Sequence, residues 1–285
     1  MTCYKCGKEV AEDSRRCPEC GARFTPNAIY QYAWRILYNE KSSEDDVKRA
    51  IDALQILIDD EVVEAYTLMG CCYEEAIGVP QDSDLANKWF RKAAKEGDAD
   101  AQYFLGNKYY YGTGAPKSYK KAAEYYLQAA EQGHKDALSC LAFCYQFGTG
   151  VTRDSAKALD YHKQASEQGV AASVRELGSY YYDGAEIAKD VEKALEYWTL
   201  AAEGKDARAQ YILASLYEDG EDVAQDLDEA LKYYRKSAKQ GYPEGQYGLG
   251  MYYYRYHGDT AKARKYLRLA AEQGNKDAVR MLKHL

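Results

Sequence analysis

One unit of 36 residues recurs six times along most of this chain, with rows that begin at Ala65, Ala101, Ala137, Ser173, Ala209 and Gly245. The fifth position of each row is leucine or methionine, the sixth is glycine or alanine, and the ninth is always tyrosine. Positions 1, 5 and 9 share one face of a helix, and a small sixth residue lets a second helix approach closely. Each row therefore begins with a helix that must bury one face.

The second half of each row predicts another helix that folds back on the first. A glycine-containing loop, such as YGTGAPKS, leads to a residue type that suits a helix N-cap. These N-cap residues are Asp82, Ser118, Asp154, Asp190 and Asp226. The helix that follows carries an alanine and then an aromatic residue, and most rows close with glycine, as helix C-termini prefer. Such hairpins bury their faces on one another, so the sequence predicts a solenoid.

The pattern AxxxLGxxYxxGxGVxxDxxKAxxYYxxAAExG resembles the Sel-1-like repeat family, relatives of tetratricopeptide repeats. The resemblance implies an all-α fold, a right-handed α/α superhelical solenoid, and a non-enzymatic role as an adaptor or scaffold, similar to that of bacterial cytosolic members. We expect six repeats, at 65–100, 101–136, 137–172, 173–208, 209–244 and 245–277. A degenerate first repeat is expected at 29–64, a linker at 25–28 and a C-terminal helical cap at 278–285.

The first 24 residues differ from the repeats, because they hold two CxxC pairs that are each followed by glycine. Thiolates at this spacing can reach one tetrahedral metal ion, and glycine permits the positive φ that turns backbone amides toward sulfur. We therefore predict a zinc ribbon with β-hairpin knuckles at 1–24. Its Zn²⁺ ligands are Cys3, Cys6, Cys17 and Cys20. Four thiolates leave no open position, so this metal is structural. Two disulfides or a redox CxxC are the alternatives.

By resemblance to tetratricopeptide geometry, positions 3, 7, 10 and 11 of each row line a concave groove. These positions combine aromatic rings with carboxylates, which suits recognition of a protein or peptide. The predicted groove residues are Tyr103, Asn107, Tyr110, Tyr111, Phe143, Phe147, Arg175, Tyr182, Tyr211 and Tyr254. We expect its centre at Tyr110, Tyr111, Phe143, Phe147 and Tyr182. The alternative is packing between repeats, which we expect to account for at least half of the role of Tyr103 and Tyr211. The acidic groove edge favours a basic or mixed partner.

Charge and hydropathy narrow the classes of partner. The net charge is −7, and an acidic body repels phosphate backbones, so nucleic-acid binding is not expected. The sequence has no apolar run near the roughly 18 residues of a membrane span and no secretory signal, so a cytoplasmic location is expected. In one alternative, the zinc ribbon itself binds nucleic acid. It would use the basic residues Lys5, Lys8, Arg15, Arg16 and Arg23.

Motifs for catalysis are sparse. Ser118 and Lys121 form an SxxK sequence, but Ser118 occupies the N-cap slot that is aspartate in the other rows. The cysteines of the repeats are expected to be free, packed thiols. They are Cys71, Cys72, Cys140 and Cys144. The alternative of an enzyme, or an enzyme-associated subunit that uses the groove, therefore has no motif in its favour.

Overall fold

The computed structural model describes residues 3–9, 16–184 and 186–285, in which the regular structure is helical. The helices are α1 (Pro26–Leu37), α2 (Glu44–Asp59), α3 (Val63–Glu75), α4 (Ser83–Lys95), α5 (Ala99–Tyr111), α6 (Tyr119–Glu131), α7 (Lys135–Phe147), α8 (Ser155–Glu167), α9 (Ala171–Asp183), α10 (Val191–Glu203), α11 (Ala207–Asp219), α12 (Leu227–Lys239), α13 (Pro243–His257), α14 (Thr260–Glu272) and α15 (Lys276–Leu282). The predicted all-α fold is confirmed.

The chain divides into two compact units, Met1–Arg153 and Asp154–Leu285. In the first unit α1 packs on α2, α3 on α4 and α5 on α6, and these hairpins stack in order against one another and against α7. In the second unit the hairpins are α9 with α10, α11 with α12 and α13 with α14, and α8 and α15 pack against α9 and α14. Each unit is therefore a stack in which a hairpin contacts only its neighbours.

The predicted linker contains the start of α1. Thr25 is the N-cap, and its Oγ1 accepts a hydrogen bond of 3.3 Å from the backbone N–H of Ala28. Proline at the first helical position has the φ that a helix needs and gives up only an N–H that would be unbonded there, so Pro26 begins the helix. Helices α1 and α2 form a hairpin over the span for which a degenerate first repeat is predicted.

The small sixth position of a row lies directly under a ring of the second helix. A Cβ added at Gly106 would stand 2.5 Å from ring atoms of Tyr126, and one at Gly178 would stand 2.6 Å from Trp198. Gly70 and Phe90 repeat the same arrangement at 2.6 Å. The absence of a side chain thus sets how closely the two helices of a hairpin approach.

The invariant tyrosine of the ninth position stacks on a tyrosine of the second helix. Within hairpins the ring planes are nearly parallel, and centroids lie 5.6 Å apart for Tyr109–Tyr125, 5.4 Å for Tyr181–Tyr197 and 6.2 Å for Tyr217–Tyr233. Aromatic pairs at such distances add stability beyond the area they bury. This tyrosine is therefore a packing residue of the hairpin, which accounts for its place in every row.

We predict that Gly106→Ala destabilises the protein by about 1–3 kcal/mol, because the new methyl group must displace the Tyr126 ring. Urea unfolding would measure the free energy of unfolding. The double variant Gly106→Ala/Tyr126→Leu should lose less stability than the sum of the two single variants, because leucine leaves room for the methyl group. Strict additivity would contradict this account of the contact.

His162 is a fully buried imidazole in the second unit. Its Nδ1 lies 3.1 Å from Ser173 Oγ, between α8 and α9. Burial lowers the pKa of His162 to about 4, because a charged imidazolium loses its hydration inside the protein. The folded state therefore holds a neutral ring at pH values where the unfolded chain binds a proton.

This difference predicts acid sensitivity in a defined pH range. Above about pH 6.5 the ring is neutral in both states; between 6.5 and 4 only the unfolded chain is protonated, so stability falls by at most about 1.4 kcal/mol per pH unit. Unfolding curves at several pH values should show a shallower decline for His162→Gln than for the parent protein. Parallel pH profiles would show that His162 does not contribute.

Candidate functional site

An open aromatic pocket lies between α5 and α7 in the first unit. Its volume is about 260 Å³. The lining residues are Tyr110, Tyr111, Tyr126, Cys140, Phe143, Cys144, Phe147 and Thr149. Tyr111 and Phe147 keep 67% and 68% of their surface exposed, although both are large and apolar. Four of the five residues predicted for the groove centre thus meet at one place.

The rings of the pocket are ordered by contacts with one another. The Tyr110 and Tyr111 rings meet edge to face with centroids 5.0 Å apart, and the rings of Phe143 and Phe147 are parallel at 6.2 Å. Tyr119 at the start of α6 packs its edge on Tyr110 at 5.1 Å. Such a set of rings offers a preformed surface for a further apolar group.

The lining is electrically neutral. Burial raises the pKa of Cys140 to about 12 and that of Cys144 to about 11, so both thiols stay protonated at neutral pH. The Tyr126 hydroxyl donates to Asn107 Oδ1 at 2.8 Å, so its hydrogen-bond donor is satisfied. The pocket therefore has the character of an apolar binding site.

The third position of a row packs between repeats, the role given above as the alternative for Tyr103 and Tyr211. Its side chain contacts the residue that caps the next first helix: the ring of Tyr103 stacks on His134 at 4.7 Å, and Tyr211 meets Tyr242 at 6.0 Å. Arg175 is buried, and its guanidinium bonds to Glu176 and, from Nε, to Asp206 at 3.2 Å. The prediction of Arg175 as a groove contact does not fit this burial, because its charge is used to join two repeats.

Of the other predicted groove residues, Tyr182 and Tyr254 belong to the second unit and Asn107 to the first. Tyr182, in the second unit, donates a 2.5 Å hydrogen bond to Asp222 Oδ2 and packs on Trp198. Tyr254 is exposed on α13. Asn107 is held by Tyr126 within the first unit.

Sequence reasoning missed several residues of this surface. Cys140, Cys144 and Thr149 line the pocket but fall outside positions 3, 7, 10 and 11. Trp34 in α1 and Tyr38, which caps the C-terminal end of α1, are also large exposed aromatic residues. Tyr38 occupies position 10 of the degenerate repeat, so continuing the 36-residue register backwards would have found it.

The four N-terminal cysteines converge in the structure. Their Sγ atoms all lie within 4.8 Å of one another, with Cys3 and Cys20 at 3.7 Å and Cys6 and Cys17 at 3.6 Å. A tetrahedral site with Zn–S bonds of about 2.3 Å has S–S edges of about 3.8 Å, so the donor set fits such an ion. A disulfide needs about 2.05 Å, and all four cysteines are free.

Two equivalent turns hold these sulfurs. In each turn the glycine after the second cysteine has positive φ, +72° at Gly7 and +70° at Gly21, and its N–H donates to the carbonyl of the first cysteine at 2.9 Å. An antiparallel β-bridge pairs Arg16 with Arg23. We call residues 3–9 and 16–24 the knuckle. Arg15 and the other residues between these segments lie outside the described part of the chain.

The knuckle packs on the first helical hairpin. Tyr4 is buried, its ring lies 4.8 Å from Tyr32 of α1 and 5.8 Å from Phe24, and its hydroxyl donates to the Arg23 carbonyl at 2.8 Å. Cys3 and Cys17 belong to the same apolar core as the buried residues of α1 and α2. The sulfur cluster is thus continuous with the core of the first unit.

The SxxK serine and one basic residue of the ribbon make contacts within the protein. Ser118 caps α6, its Oγ accepting from the Lys121 N–H, so the SxxK sequence is a helix start. Lys8 pairs with Glu19 at 3.0 Å. Among the described residues, the N-terminal cysteines form the group with metal-ligating geometry, and none of the described helices has the length and apolar character of a membrane span.

Six segments of the chain match the Sel1 repeat, at residues 63–98, 99–134, 136–170, 171–206, 207–242 and 243–275. The chain belongs to the Sel1 repeat family. Proteins of this family generally mediate protein–protein interactions. Each matched segment starts one or two residues before the corresponding 36-residue row, the first of which begins at Ala65. The comparison with curated proteins gives no match.

Solved structures of Sel1 proteins resemble this chain over most of its length. A protective antigen of uropathogenic Escherichia coli strains, displaying an SLR fold, is 30% identical with a TM-score of 0.72 and covers 92% of this chain, which spans 56% of that protein. A Sel1 repeat protein from Oxalobacter formigenes is 29% identical with a TM-score of 0.76, covering 85% of this chain and 96% of its own. An immunity protein from Pseudomonas aeruginosa shares the fold alone, at 19% identity and a TM-score of 0.52, covering 79% and 83%.

Proposed function

We propose that this Sel1 repeat protein is a non-enzymatic adaptor that binds a segment of another protein at the aromatic pocket of its first unit. The observation that carries the proposal is the exposure of Tyr111 and Phe147 on the rim of a preformed pocket. Exposed aromatic residues around a concave apolar site are typical of protein-binding surfaces, in which a few anchors supply most of the free energy.

The size of the pocket indicates how the partner is held. Pockets for drug-sized ligands and cofactors run from about 300 to 1,000 Å³. This pocket, at about 260 Å³, is smaller and open, so it suits one bulky side chain of a larger ligand. Because the two thiols are protonated and the Tyr126 hydroxyl is hydrogen-bonded within the protein, that side chain would meet no charged group in the pocket. An aromatic or branched aliphatic residue is the best match.

We also propose that the knuckle binds one structural Zn²⁺ through Cys3, Cys6, Cys17 and Cys20. The S–S distances and the glycine turns support this assignment. Four sulfur atoms placed together gain little stability from contact with one another. A bound ion would join them and so complete the core that the knuckle shares with α1 and α2.

Pocket variants provide the test of partner binding. Peptides are selected from a random displayed library on the intact protein, and their dissociation constants are measured by fluorescence anisotropy. Phe147→Ala and Tyr111→Ala should each weaken binding by at least about tenfold, because each removes an anchor ring.

The control for these variants is Leu200→Ala on α10, which also removes an exposed apolar side chain. It should bind as the parent protein does. All three variants should keep the melting temperature, because the side chains are exposed. Peptides that bind Phe147→Ala and the parent equally would place the partner elsewhere.

Metal content tests the knuckle. The purified protein should carry one zinc ion per chain, and Cys17→Ser should lose it and melt at a lower temperature, since metal binding stabilises such short segments by about 10–16 kcal/mol. Elemental analysis and thermal unfolding measure both effects. Cys140→Ser, a half-buried cysteine of the pocket, should keep the zinc. Stoichiometric disulfides in the native protein would contradict the assignment.

A further inference from the structure

Acidic residues recur at one register position beside the aromatic pocket. The residue before each row is Glu64 in α3, Asp100 in α5 and Asp136 in α7, each in the first turn of its helix. In the second unit the same position holds Ala172, Arg208 and Glu244. Three acids in succession are therefore a property of the first unit, where the pocket lies.

Two of these acids, Asp100 and Asp136, share a helix face with pocket residues. On α7, Asp136, Cys140, Phe143 and Phe147 are spaced by four, three and four residues, which aligns them along one side of the helix. Asp100 and Tyr111 are aligned in the same way on α5. Seven residues separate Asp136 from Phe143, which corresponds to about 10 Å along the helix axis.

Two of the acids, Asp100 and Glu64, act on the same tyrosine, Tyr30 of α1. A hydrogen bond from His134, at 3.1 Å from Nε2, lowers the pKa of Asp100. Burial, followed by the charges of Asp100, Asp98 and Glu64, raises the pKa of Tyr30 to about 12. A negative field of this kind favours a cationic partner and opposes an acidic one.

Two lysines near the pocket residues have partners of their own. Lys108 is buried and pairs with Glu74, and Lys117 lies over the Tyr119 ring at 4.8 Å, on the opposite side of the pocket from Asp136 along the helices. Charge thus differs between the two ends of the pocket. A ligand side chain next to Asp136 meets a carboxylate, whereas one next to Tyr119 meets an ammonium group.

We propose that the partner segment is basic: an extended peptide that inserts one bulky apolar side chain among Tyr110, Tyr111, Phe143 and Phe147 and places a lysine or arginine against Asp136. An extended chain advances about 3.3 Å per residue, so the two side chains lie about three residues apart. This inference rests on the proposed function, to which it adds the chemical class of the partner and a spacing.

An acid in the first turn also stabilises its own helix through the macrodipole, and this effect has to be separated from ligand binding. Glu244 supplies the control, because it holds the same register position in the first turn of α13. Asp136→Asn and Glu244→Gln remove comparable helix-end charges. Only the first of them lies beside the pocket.

The test uses the peptides selected on the intact protein, with analogues in which the basic residue is replaced by glutamine. Selected sequences should contain an apolar residue with lysine or arginine about three residues away. Asp136→Asn should weaken binding about two- to fivefold, as expected for an exposed ion pair, and should bind the basic peptide and its glutamine analogue alike. Binding to the parent protein should weaken with added salt, and Glu244→Gln should bind as the parent does.

Two outcomes would overturn the basic class while leaving the pocket intact. The first is a set of neutral or acidic peptides whose binding is lost in Phe147→Ala but unchanged in Asp136→Asn. The second is self-association, seen by sedimentation as dimers that Phe147→Ala dissolves, which would make a second copy of the chain the occupant. Full binding by Phe147→Ala would instead reject the pocket itself.

Discussion

A ring of the second helix lies against bare backbone of the first helix in several hairpins, and the architecture of both units depends on this contact. Gly106 under Tyr126 and Gly178 under Trp198 show it most closely. The second helix occupies this face of the first helix. The tyrosine at position 9 of the first helix therefore also stacks on the second helix, as Tyr109 does on Tyr125. The adjoining face of the first helix, with positions 3, 7, 10 and 11, is then left for other contacts.

That face of the first helix carries contacts between repeats at one end and pocket residues at the other. At position 3 it is used to join one repeat to the next, as when Tyr103 stacks on His134. Toward the C-terminal end of the helix, the side chains of Tyr111 and Phe147 reach solvent. The same kind of helix thus carries a structural residue in its first turns and a candidate anchor in its last.

The knuckle covers apolar residues of the first hairpin. Helices α1 and α2 bury Tyr32 and their apolar residues partly against Tyr4 and the sulfur cluster, in place of a further helical hairpin. So short a segment cannot bury a core of its own. Its apolar contacts with α1 and the convergence of its sulfurs therefore support each other, and a bound ion would stabilise both.

The sequence by itself determined the repeating helical hairpins, their N-caps and the small residue at position 6, because these follow from spacing along a single chain. The CxxC pairs likewise identified the cysteines that converge. Four pocket residues were predicted from the register together with the resemblance to tetratricopeptide repeats, but tertiary structure decided that Arg175 is buried against Asp206 and that Cys140 lines the pocket. The reason is physical: which side of a helix faces solvent depends on how the next hairpin is placed, and that placement depends on contacts between residues about 30 positions apart.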